Sequence, residues 1–316
     1  MRRSASEQRP RWVRLTPNSC VVEAICLGVR RPAPAHRMAG VSRTLESKTL
    51  FISGASRGIG LAIAVRAARD GANVALIAKT AEPHPKLEGT VYTAAEAIEA
   101  AGGRALPIVG DIRDDQQVAD AVAATIEKFG GIDVCINNAS AINLSGTEAM
   151  DMKRYDLMQS INQRGTYVVS KACIPHLKRS DNGHVLTLSP PISLDPKWLG
   201  GHIGYTLAKY GMSLCTLGMA EEFKADGVAF NSLWPKTLVA TAAVQNLLGG
   251  DAAMAKSRKP EIVADAAYAI LTRDSREYTA NLALVEDVLA EEGVTDLSAY
   301  SYGGDDAELQ ADLFVD

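Results

Sequence analysis

From Thr49 onwards, short runs of apolar and β-branched residues alternate with longer segments of helical periodicity. The short runs predict strands and the longer segments predict helices. The predicted strands cover residues 49–53, 73–78, 105–109, 134–137, 184–189, 228–233 and 281–285. The predicted helices cover residues 59–69, 93–101, 116–129, 155–178, 205–223 and 261–271. This alternation predicts an α/β fold, a doubly wound parallel sheet of the Rossmann-like kind, in a single domain over residues 44–286.

The two ends of the chain differ from this pattern. Residues 1–43 contain nine Arg, no Lys and two acids, without strand alternation or a sustained helical stripe. We interpret them as a disordered extension or as leader sequence upstream of Met38, although a transit peptide to an organelle would also be rich in Arg and poor in acids. Residues 287–316 form an acidic C-terminal tail without Lys or Arg, which we expect to be partly mobile.

Composition narrows the function classes. With 47% hydrophobic and 22% charged residues, the chain can build a large core, which excludes a disordered protein. The net charge is −4 despite the Arg-rich start, so the body is acidic and a nucleic-acid groove is not expected. The five cysteines form no C-x-x-C pair, which favours a cytoplasmic location. The histidine spacing predicts no metal site, and no apolar stretch is long enough to predict a membrane span.

The turn after the first predicted strand is rich in glycine and reads Gly54-Ala55-Ser56-Arg57-Gly58-Ile59-Gly60. The first glycine can make a tight turn, the second lets the backbone approach a pyrophosphate, and the third lets the helix pack on the strand. The helix then presents free N–H groups and the positive end of its dipole to the phosphates. Because a strand precedes the turn and a helix follows it, the sequence predicts a dinucleotide-binding site at residues 54–60.

Four further motifs follow in order along the chain. They are Asn137-Asn138-Ala139 after the fourth strand, Asn162 three residues before Gly165, Tyr205 four residues before Lys209, and Pro235 after the sixth strand. Together with the glycine-rich turn, they resemble the short-chain dehydrogenase/reductase family over residues 45–285. Segments 78–80, 83–87 and 233–237 resemble more narrowly a hydroxysteroid dehydrogenase-like branch. Some members of that branch add a sterol-carrier domain, which we do not expect in this chain.

The resemblance implies an oxidoreductase that moves a hydride between a nicotinamide cofactor and an alcohol or carbonyl group. It implies Tyr205 as the proton donor or acceptor, Lys209 as a hydrogen-bond partner of the nicotinamide ribose, and Asn162 as part of a proton relay. It further implies cofactor contacts by Asp111, Asn138, Pro235 and Thr237. Family members usually form dimers or tetramers through the helix that carries the tyrosine, so we expect a homodimer or homotetramer.

Tyr205 and Lys209 also have a physical interpretation of their own. Four residues apart, they lie on one face of a helix. A phenol has a pKa of about 10, and a neighbouring ammonium together with a positive nicotinamide lowers that pKa. Tyr205 can then exchange a proton with the substrate while hydride moves. Alone, the pair would be an ordinary amphipathic helix pair, but the glycine-rich turn upstream favours the catalytic interpretation.

The end of the fifth predicted strand departs from the family pattern. A catalytic serine is typical there, whereas this chain has Pro190 directly after Ser189. Either Ser189 or Ser193 supplies the hydroxyl that polarises the substrate carbonyl, or no serine acts and the barrier is higher. We therefore keep a second hypothesis, in which the chain is a weakly active or non-catalytic NADP-binding module that serves as a redox sensor or assembly partner.

The end of the second predicted strand indicates which nucleotide binds. Proteins that bind NAD place an acid there, about 20 residues beyond the glycines, to hold the ribose 2′-hydroxyl. This chain has Lys79 at that place, and Arg57 offers a second cation within the glycine-rich turn. Both suit a 2′-phosphate, so we predict NADP as the cofactor.

The loops that would line a substrate pocket are largely apolar. They are residues 140–150, 190–204 and 237–258, and they include Ile192, Trp198, Leu199, Leu247, Leu248 and Met254. An apolar or lipid-like small-molecule substrate is the class that such a lining favours. The same residues would also suit satellites of the core or a contact between subunits.

Overall fold

The fold is built on one parallel sheet of seven strands. In the computed structural model, which describes residues 43–83, 88–303 and 308–315, the strand order is β3-β2-β1-β4-β5-β6-β7, and every neighbouring pair is parallel. The strands are β1 (Thr49–Ser53), β2 (Asn73–Ala78), β3 (Arg104–Val109), β4 (Val134–Asn137), β5 (His184–Thr187), β6 (Ala229–Trp234) and β7 (Asn281–Leu284). The predicted doubly wound fold is confirmed. Residues 1–42 of the predicted N-terminal extension and most of segment 83–87 lie outside the described residues.

The helices connect these strands and cover both faces of the sheet. They are α1 (Gly58–Ala68), α2 (Val91–Ala100), α3 (Asp115–Phe129), α4 (Met152–Gln159), α5 (Gly165–Leu177), α6 (Pro196–Leu199), α7 (Ile203–Glu222), α8 (Ala242–Leu247), α9 (Gly250–Ala255), α10 (Glu261–Leu271) and α11 (Val285–Glu291). The long helix predicted over residues 155–178 is divided into α4 and α5 by a π-helical turn, Ser160–Arg164. The short helices α6, α8, α9 and α11 were not predicted, because four to seven residues are too few for a helical period to show.

Two apolar layers hold the helices to the sheet. Leu50 and Ile52 of β1 belong to the layer that packs under α1 and α10, whereas Phe51 between them belongs to the layer under α3 and α5. Successive side chains of a strand point to opposite faces, and both faces here are covered. All residues of β1, β4, β5 and β6 are therefore buried, and their sequences lack the regular alternation of a half-exposed strand.

The carboxyl ends of the central strands place the functional loops side by side. The strand order changes direction between β1 and β4, the position where open α/β sheets bind ligands. The glycine-rich turn follows β1, and the loops that begin at Asn138, Leu188 and Pro235 follow β4, β5 and β6. Four sequence motifs thus meet at one edge of the sheet.

The described part of the acidic tail folds back against the domain. It contains most of α11 and a 3₁₀ turn, Ser298–Tyr300, and residues 310–315 return to the carboxyl edge of the sheet. Phe314 is only 3% exposed. In the described part of the chain, no helix combines the length and the apolar character needed to cross a membrane.

Candidate active site

The glycine-rich turn requires glycine for two physical reasons. Gly54 and Gly58 have φ values of +72° and +58°, a region that L-residues with side chains rarely adopt. A Cβ atom on Gly54 would lie 2.8 Å from the Cα of Ala139, and one on Gly60 would lie 2.5 Å from Nδ2 of Asn138. The turn therefore lies against the end of β4 with no room for side chains at Gly54 and Gly60.

Helix α1 begins within this turn and points its amino end at the carboxyl edge of the sheet. Ala55 and Ser56 are buried, and Ile59 packs against the core below α1. The first turn of α1 contains no acidic residue, so nothing within it neutralises the positive end of the helix dipole. An anion such as a pyrophosphate is favoured at this position.

Asn138 ties the glycine-rich turn to the end of β4. Its Nδ2 donates to the backbone oxygens of Ser53 and Gly54, at 3.1 and 2.8 Å. The Ser53 hydroxyl in return accepts hydrogen bonds from the backbone N–H groups of Asn138 and Ala139, both at 3.2 Å. Asn138 thus links the ends of β1 and β4 by hydrogen bonds, and these bonds fix the backbone at the predicted pyrophosphate position.

Asn162 anchors the loop that follows β4. It lies in the π-helical turn and is fully buried. Its Oδ1 accepts from the N–H of Ala141 at 2.7 Å, and its Nδ2 donates to the carbonyl of Ala141 at 2.9 Å. Both ends of the amide are engaged with one residue, so the side chain fixes the position of the loop beside Tyr205.

Tyr205 and Lys209 lie in the first half of α7, inside the protein. Lys209 Nζ donates to the carbonyl of Leu188 at 2.9 Å and lies 4.9 Å from the ring centroid of Trp234. Burial lowers the pKa of Lys209 to about 8, against the opposing effect of Asp312. Burial also raises the pKa of Tyr205, with a smaller contribution from Asp312. In the protein without cofactor the pKa of Tyr205 is thus raised, and the lowering by Lys209 together with a positive nicotinamide stays a prediction for the complex.

Ser189 belongs to a buried cluster of hydroxyl groups. Its Oγ lies 2.9 Å from Oγ of Ser232 and accepts a hydrogen bond from Ser213 at 3.0 Å. The single proton of Ser213 is shared with the carbonyl of Pro190, whose oxygen lies 2.6 Å from the Ser213 hydroxyl. Ser193 lies further along the loop, where its backbone N–H and carbonyl both contact the hydroxyl of Tyr210. The Ser189 hydroxyl is thus enclosed between β5, β6 and α7.

Lys79 and Arg57 lie on the side of the site where the nucleotide preference is expected to be decided. The Lys79 side chain is 62% exposed, and its Nζ lies 3.2 Å from a carboxylate oxygen of Asp111. The guanidinium of Arg113, which binds both oxygens of Asp111, holds the pKa of that carboxyl well below its usual range. Arg57 donates to the backbone carbonyls of residues 88 and 89, at 2.7 and 2.5 Å, and remains beside the glycine-rich turn.

The chain after β6 runs along the opposite side of the site. Pro235 is buried next to Trp234, and the Thr237 hydroxyl lies 3.5 Å from a carboxylate oxygen of Glu286. Thr237 also forms an antiparallel bridge with Ala311 of the acidic tail. The two residues predicted to touch the cofactor are therefore beside the tail.

The predicted apolar pocket residues separate into two groups. Ile192, Trp198 and Leu199 pack in one cluster with Tyr205 and Phe314. The other predicted residues do not reach it, because Leu248 and Met254 pack around Leu238 and Val244, and Leu247 is exposed. The apolar lining near Tyr205 thus comes from the loops after β4 and β5 and from the tail.

Sequence reasoning missed four aromatic residues that cluster with Tyr205: His202 and Phe314 contact its ring, and Tyr210 and Trp234 contact the ring of Phe314. One signal for Phe314 was present, since Leu313, Phe314 and Val315 form an apolar triplet at the end of an otherwise acidic tail. Among the described residues, no three His, Cys, Asp or Glu side chains come together as metal ligands.

A glycine-rich turn at the switch point of a doubly wound sheet, with a buried Tyr and Lys beside it, defines a dinucleotide-binding oxidoreductase. The family model described as short chain dehydrogenase matches residues 48–250. The chain belongs to the short-chain dehydrogenase/reductase family. Members of this family are oxidoreductases that act on CH–OH groups and bind nicotinamide cofactors.

Named relatives extend this result over most of the chain. Hydroxysteroid dehydrogenase-like protein 2 of Xenopus laevis is 55% identical over 272 residues, which are 86% of this chain and 64% of the relative. This chain thus spans less than two thirds of that relative's length. The crystal structure of a short chain dehydrogenase from Mycobacterium thermoresistibile is 65% identical, with a TM-score of 0.81, and covers 86% of this chain and 96% of that one. A structure from Xanthomonas campestris, described as a dehydrogenase, is 56% identical with a TM-score of 0.83 and covers 86% and 99%.

Proposed function

We propose that the protein is an NADP-dependent oxidoreductase that interconverts a secondary alcohol and a carbonyl on an apolar or lipid-like substrate, with Tyr205 as the proton donor or acceptor. The observation that carries the proposal is the position of Tyr205 and Lys209. Both lie inside the protein on α7, and Lys209 is tied to the chain that leaves β5. This is the sheet edge to which the glycine-rich turn also belongs.

The residues of the turn fit a dinucleotide. Gly54 and Gly60 leave no side chain between the turn and β4, and the amino end of α1 has no acid beside it. These features support a pyrophosphate bound at residues 54–60. Bound NADPH would supply the hydride that reaches the carbonyl carbon of the substrate.

Lys79 and Arg57 support the preference for NADP. They are cations on the side of the turn where the ribose 2′-position is expected, and Lys79 has an exposed ammonium. Asp111, which accepts from Lys79, is already paired with Arg113, so the site carries a net positive charge. A 2′-phosphate would find attraction there, whereas NAD would lack its usual acidic partner.

The proton chemistry rests on Tyr205. During reduction, its hydroxyl would donate a proton to the carbonyl oxygen, and the resulting phenolate would be stabilised by the charge of Lys209. With a pKa of about 8, Lys209 is mostly protonated at neutral pH. Asn162, held by Ala141, would keep the adjoining loop and its water path in place. In the oxidative direction the same proton returns to Tyr205.

The serine cluster supports a second candidate function. The Ser189 hydroxyl is buried among Ser213 and Ser232, and this favours a structural role for it. Without a donor from Ser189 or Ser193, the carbonyl would be less polarised and the protein less active. A weakly active or non-catalytic NADP-binding module is therefore the alternative.

Assembly and location are part of the same proposal. Tyr167 of α5 and Leu207 and Leu214 of α7 each expose more than half of their surface, which supports a homodimer or homotetramer that buries these helices. Residues 1–43 would be an extension or leader outside the domain 44–286. We place the protein in the cytoplasm, unless that part directs it to an organelle.

The test of catalysis is NADPH consumption by the full chain with a panel of apolar ketones and aldehydes. Tyr205→Phe removes the proton donor and keeps the ring. We expect it to lower turnover about a hundredfold or more while nucleotide binding is kept. Turnover that is absent in the wild type, or equal in Tyr205→Phe, would favour the non-catalytic module.

The test of the nucleotide is titration by protein fluorescence. Lys79→Asp replaces attraction by repulsion and should weaken NADPH binding strongly, while NADH binding stays the same or improves. The matched control is Lys224→Asp, because Lys224 is 71% exposed and lies before β6, at the opposite edge of the sheet. Equal binding of NADH and NADPH by the wild type would refute the NADP assignment.

A further inference from the structure

The last described residues of the chain lie within the candidate active site. We call Gln310–Val315 the C-terminal segment. The N–H of Leu238 donates to the carbonyl of Gln310 at 2.9 Å, and the N–H of Asp312 donates to the carbonyl of Lys236 at 3.0 Å. These bonds flank the antiparallel bridge between Thr237 and Ala311. The segment therefore pairs with the chain directly after β6.

Phe314 fills the space in front of Tyr205. The two ring centroids are 6.0 Å apart and the ring planes are 30° from parallel. Four other rings surround Phe314 at centroid distances of 5.3 to 6.3 Å, and they are those of Tyr210, His202, Trp198 and Trp234. Tyr205 itself is only 4% exposed. While the Phe314 ring occupies this space, it excludes a substrate from the same position beside Tyr205.

The same segment engages the backbone on the cofactor side. Pro235 and Thr237 are the residues that we assign to cofactor contact after β6. The neighbouring carbonyl of Lys236 and N–H of Leu238 are bonded to the C-terminal segment. Trp234 Nε1, which donates to the carbonyl of Leu313 at 2.8 Å, is bonded to it as well. The segment thus lies across the cofactor side and the substrate side of the site.

The segment is attached by fewer backbone hydrogen bonds than the strands beside it. It forms no strand or helix of its own, and besides the bridge to Thr237 it is held by a bond from the N–H of Gln310 to the carbonyl of Lys256, at 3.0 Å, and by the bond from Trp234. Its Asp312 carboxyl interacts with Lys209 and Glu286, and burial raises the pKa of that carboxyl to about 7. Segments with few backbone hydrogen bonds open at a lower cost in free energy than the central strands of a sheet, without global unfolding.

We propose that the C-terminal segment is a reversible autoinhibitory segment, which occupies the catalytic pocket through Phe314 and must leave it before substrate and the nicotinamide end of the cofactor can enter. This inference rests on the proposed function. The Phe314 side chain also indicates which chemical groups the open pocket accepts. Five rings that enclose a phenyl group favour a substrate with a flat, apolar ring or a similarly compact apolar group at the reacting end.

A reversible disulfide tests the proposal in the full chain. Thr237 and Ala311 occupy a non-hydrogen-bonded antiparallel pair, in which Cα atoms are about 4.5 Å apart and a disulfide can form. In the double variant Thr237→Cys with Ala311→Cys, oxidation pins the segment and reduction releases it. We expect oxidation to lower turnover and NADPH affinity about tenfold or more, and reduction to restore both to the level of the Thr237→Cys single variant. Thr237→Cys alone is the matched control and should show no such redox dependence.

Hydrogen exchange provides a readout that needs neither cofactor nor substrate. If the segment opens, the amides of Leu238 and Asp312 exchange faster than those within β5 and β6, and the oxidised double variant slows them. If these two amides exchange as slowly as those within β5 and β6, the segment does not open separately from the domain and the proposal is wrong. Loss of nucleotide binding in both redox states with fast exchange would instead refute the proposed function and leave the opening of the segment supported.

Phe314→Ala tests the same inference by loosening the segment. An autoinhibitory Phe314 predicts a higher kcat/KM in this variant, because the open form becomes more populated. Val294→Ala is the matched control, since Val294 is an apolar residue of the same tail that is 37% exposed and outside the Phe314 cluster. A lower kcat/KM in Phe314→Ala, with Val294→Ala unchanged, would show that Phe314 helps to bind the substrate and would overturn the proposal.

Discussion

The hydroxyl of Ser213 donates to the hydroxyl of Ser189 across 3.0 Å, inside the protein. This contact joins α7 to the chain that leaves β5, and Ser232 of β6 extends it at 2.9 Å from Ser189. The end of β5 is where a polarising hydroxyl was expected. The hydroxyl that is present there is used to hold three elements together.

Ser189→Ala should therefore cost stability more than catalysis. Removal of the hydroxyl leaves Ser213 and Ser232 with one partner fewer, and we expect the free energy of unfolding to fall by about 1 kcal/mol. We expect kcat/KM to change less than about tenfold, because the substrate carbonyl would not lose a donor. Urea unfolding and steady-state kinetics measure the two effects. A loss of a hundredfold or more at unchanged stability would identify Ser189 as the polarising donor.

Gly60→Ala should damage the nucleotide site. The added Cβ would lie 2.5 Å from Asn138 Nδ2 and 2.9 Å from the carbonyl oxygen of Gly54. The Asn138 side chain and the turn that it bonds must therefore shift. We expect a loss of roughly 1–3 kcal/mol of stability and weaker binding of both NADPH and NADH. Calorimetry and fluorescence titration provide the measurements.

Gly131→Ala is the matched control for that variant. Gly131 lies between α3 and β4, outside the positive-φ region, with no atom within 4 Å of its added Cβ. Alanine has less conformational freedom than glycine in the unfolded chain, so this variant should gain roughly 0.4–1 kcal/mol of stability and bind nucleotides normally. If the two alanine variants behave alike, the close approach of Gly60 to Asn138 does not determine the site.

The opening of the C-terminal segment should depend on pH through Asp312. Burial raises the pKa of its carboxyl to about 7, with Glu286 acting in the same direction and Lys209 and the N–H of Leu313 opposing it. The closed form therefore binds the proton more tightly than the released form, whose carboxyl has an ordinary pKa near 4. Between these values, closure weakens as pH rises, by up to about tenfold per unit, and above pH 7 it weakens no further.

Hydrogen exchange at the Leu238 amide, corrected for the intrinsic effect of pH on exchange, measures that dependence. Asp312→Asn keeps the side chain neutral at every pH and should remove the change between pH 5 and pH 7. An Asp312→Asn protein with the same pH dependence as the wild type would show that another group is responsible.

Salt should distinguish the two nucleotides. Lys79 is exposed and Arg57 lies beside the turn, so attraction between these cations and a 2′-phosphate is screened by ions. We expect NADPH affinity to fall more steeply than NADH affinity between low salt and physiological ionic strength. Parallel slopes in fluorescence titrations would mean that neither cation faces the phosphate.

Local sequence patterns were sufficient to predict the fold and the positions of the main motifs. Strand and helix periods are properties of neighbouring residues, so β1, β2 and β4 and the long helices could be located from the pattern. The glycine-rich turn could also be recognised, because its function depends on glycines at a fixed spacing. The spacing of four residues was enough to predict that Tyr205 and Lys209 lie on one face of a helix.

The contacts that these residues make depend on tertiary packing and could not be predicted from local patterns. Whether Ser189 points into a pocket or into a hydroxyl cluster depends on Ser213 and Ser232, which come from α7 and β6. The position of Phe314 against Tyr205 joins two parts of the chain that no local period connects. Short helices and single bridges carry too few residues to leave a periodic pattern. Contacts between distant segments are selected by the packing of the whole chain, and this is why the composition of the acidic tail did not reveal that residues 310–315 lie beside Tyr205 in the candidate active site.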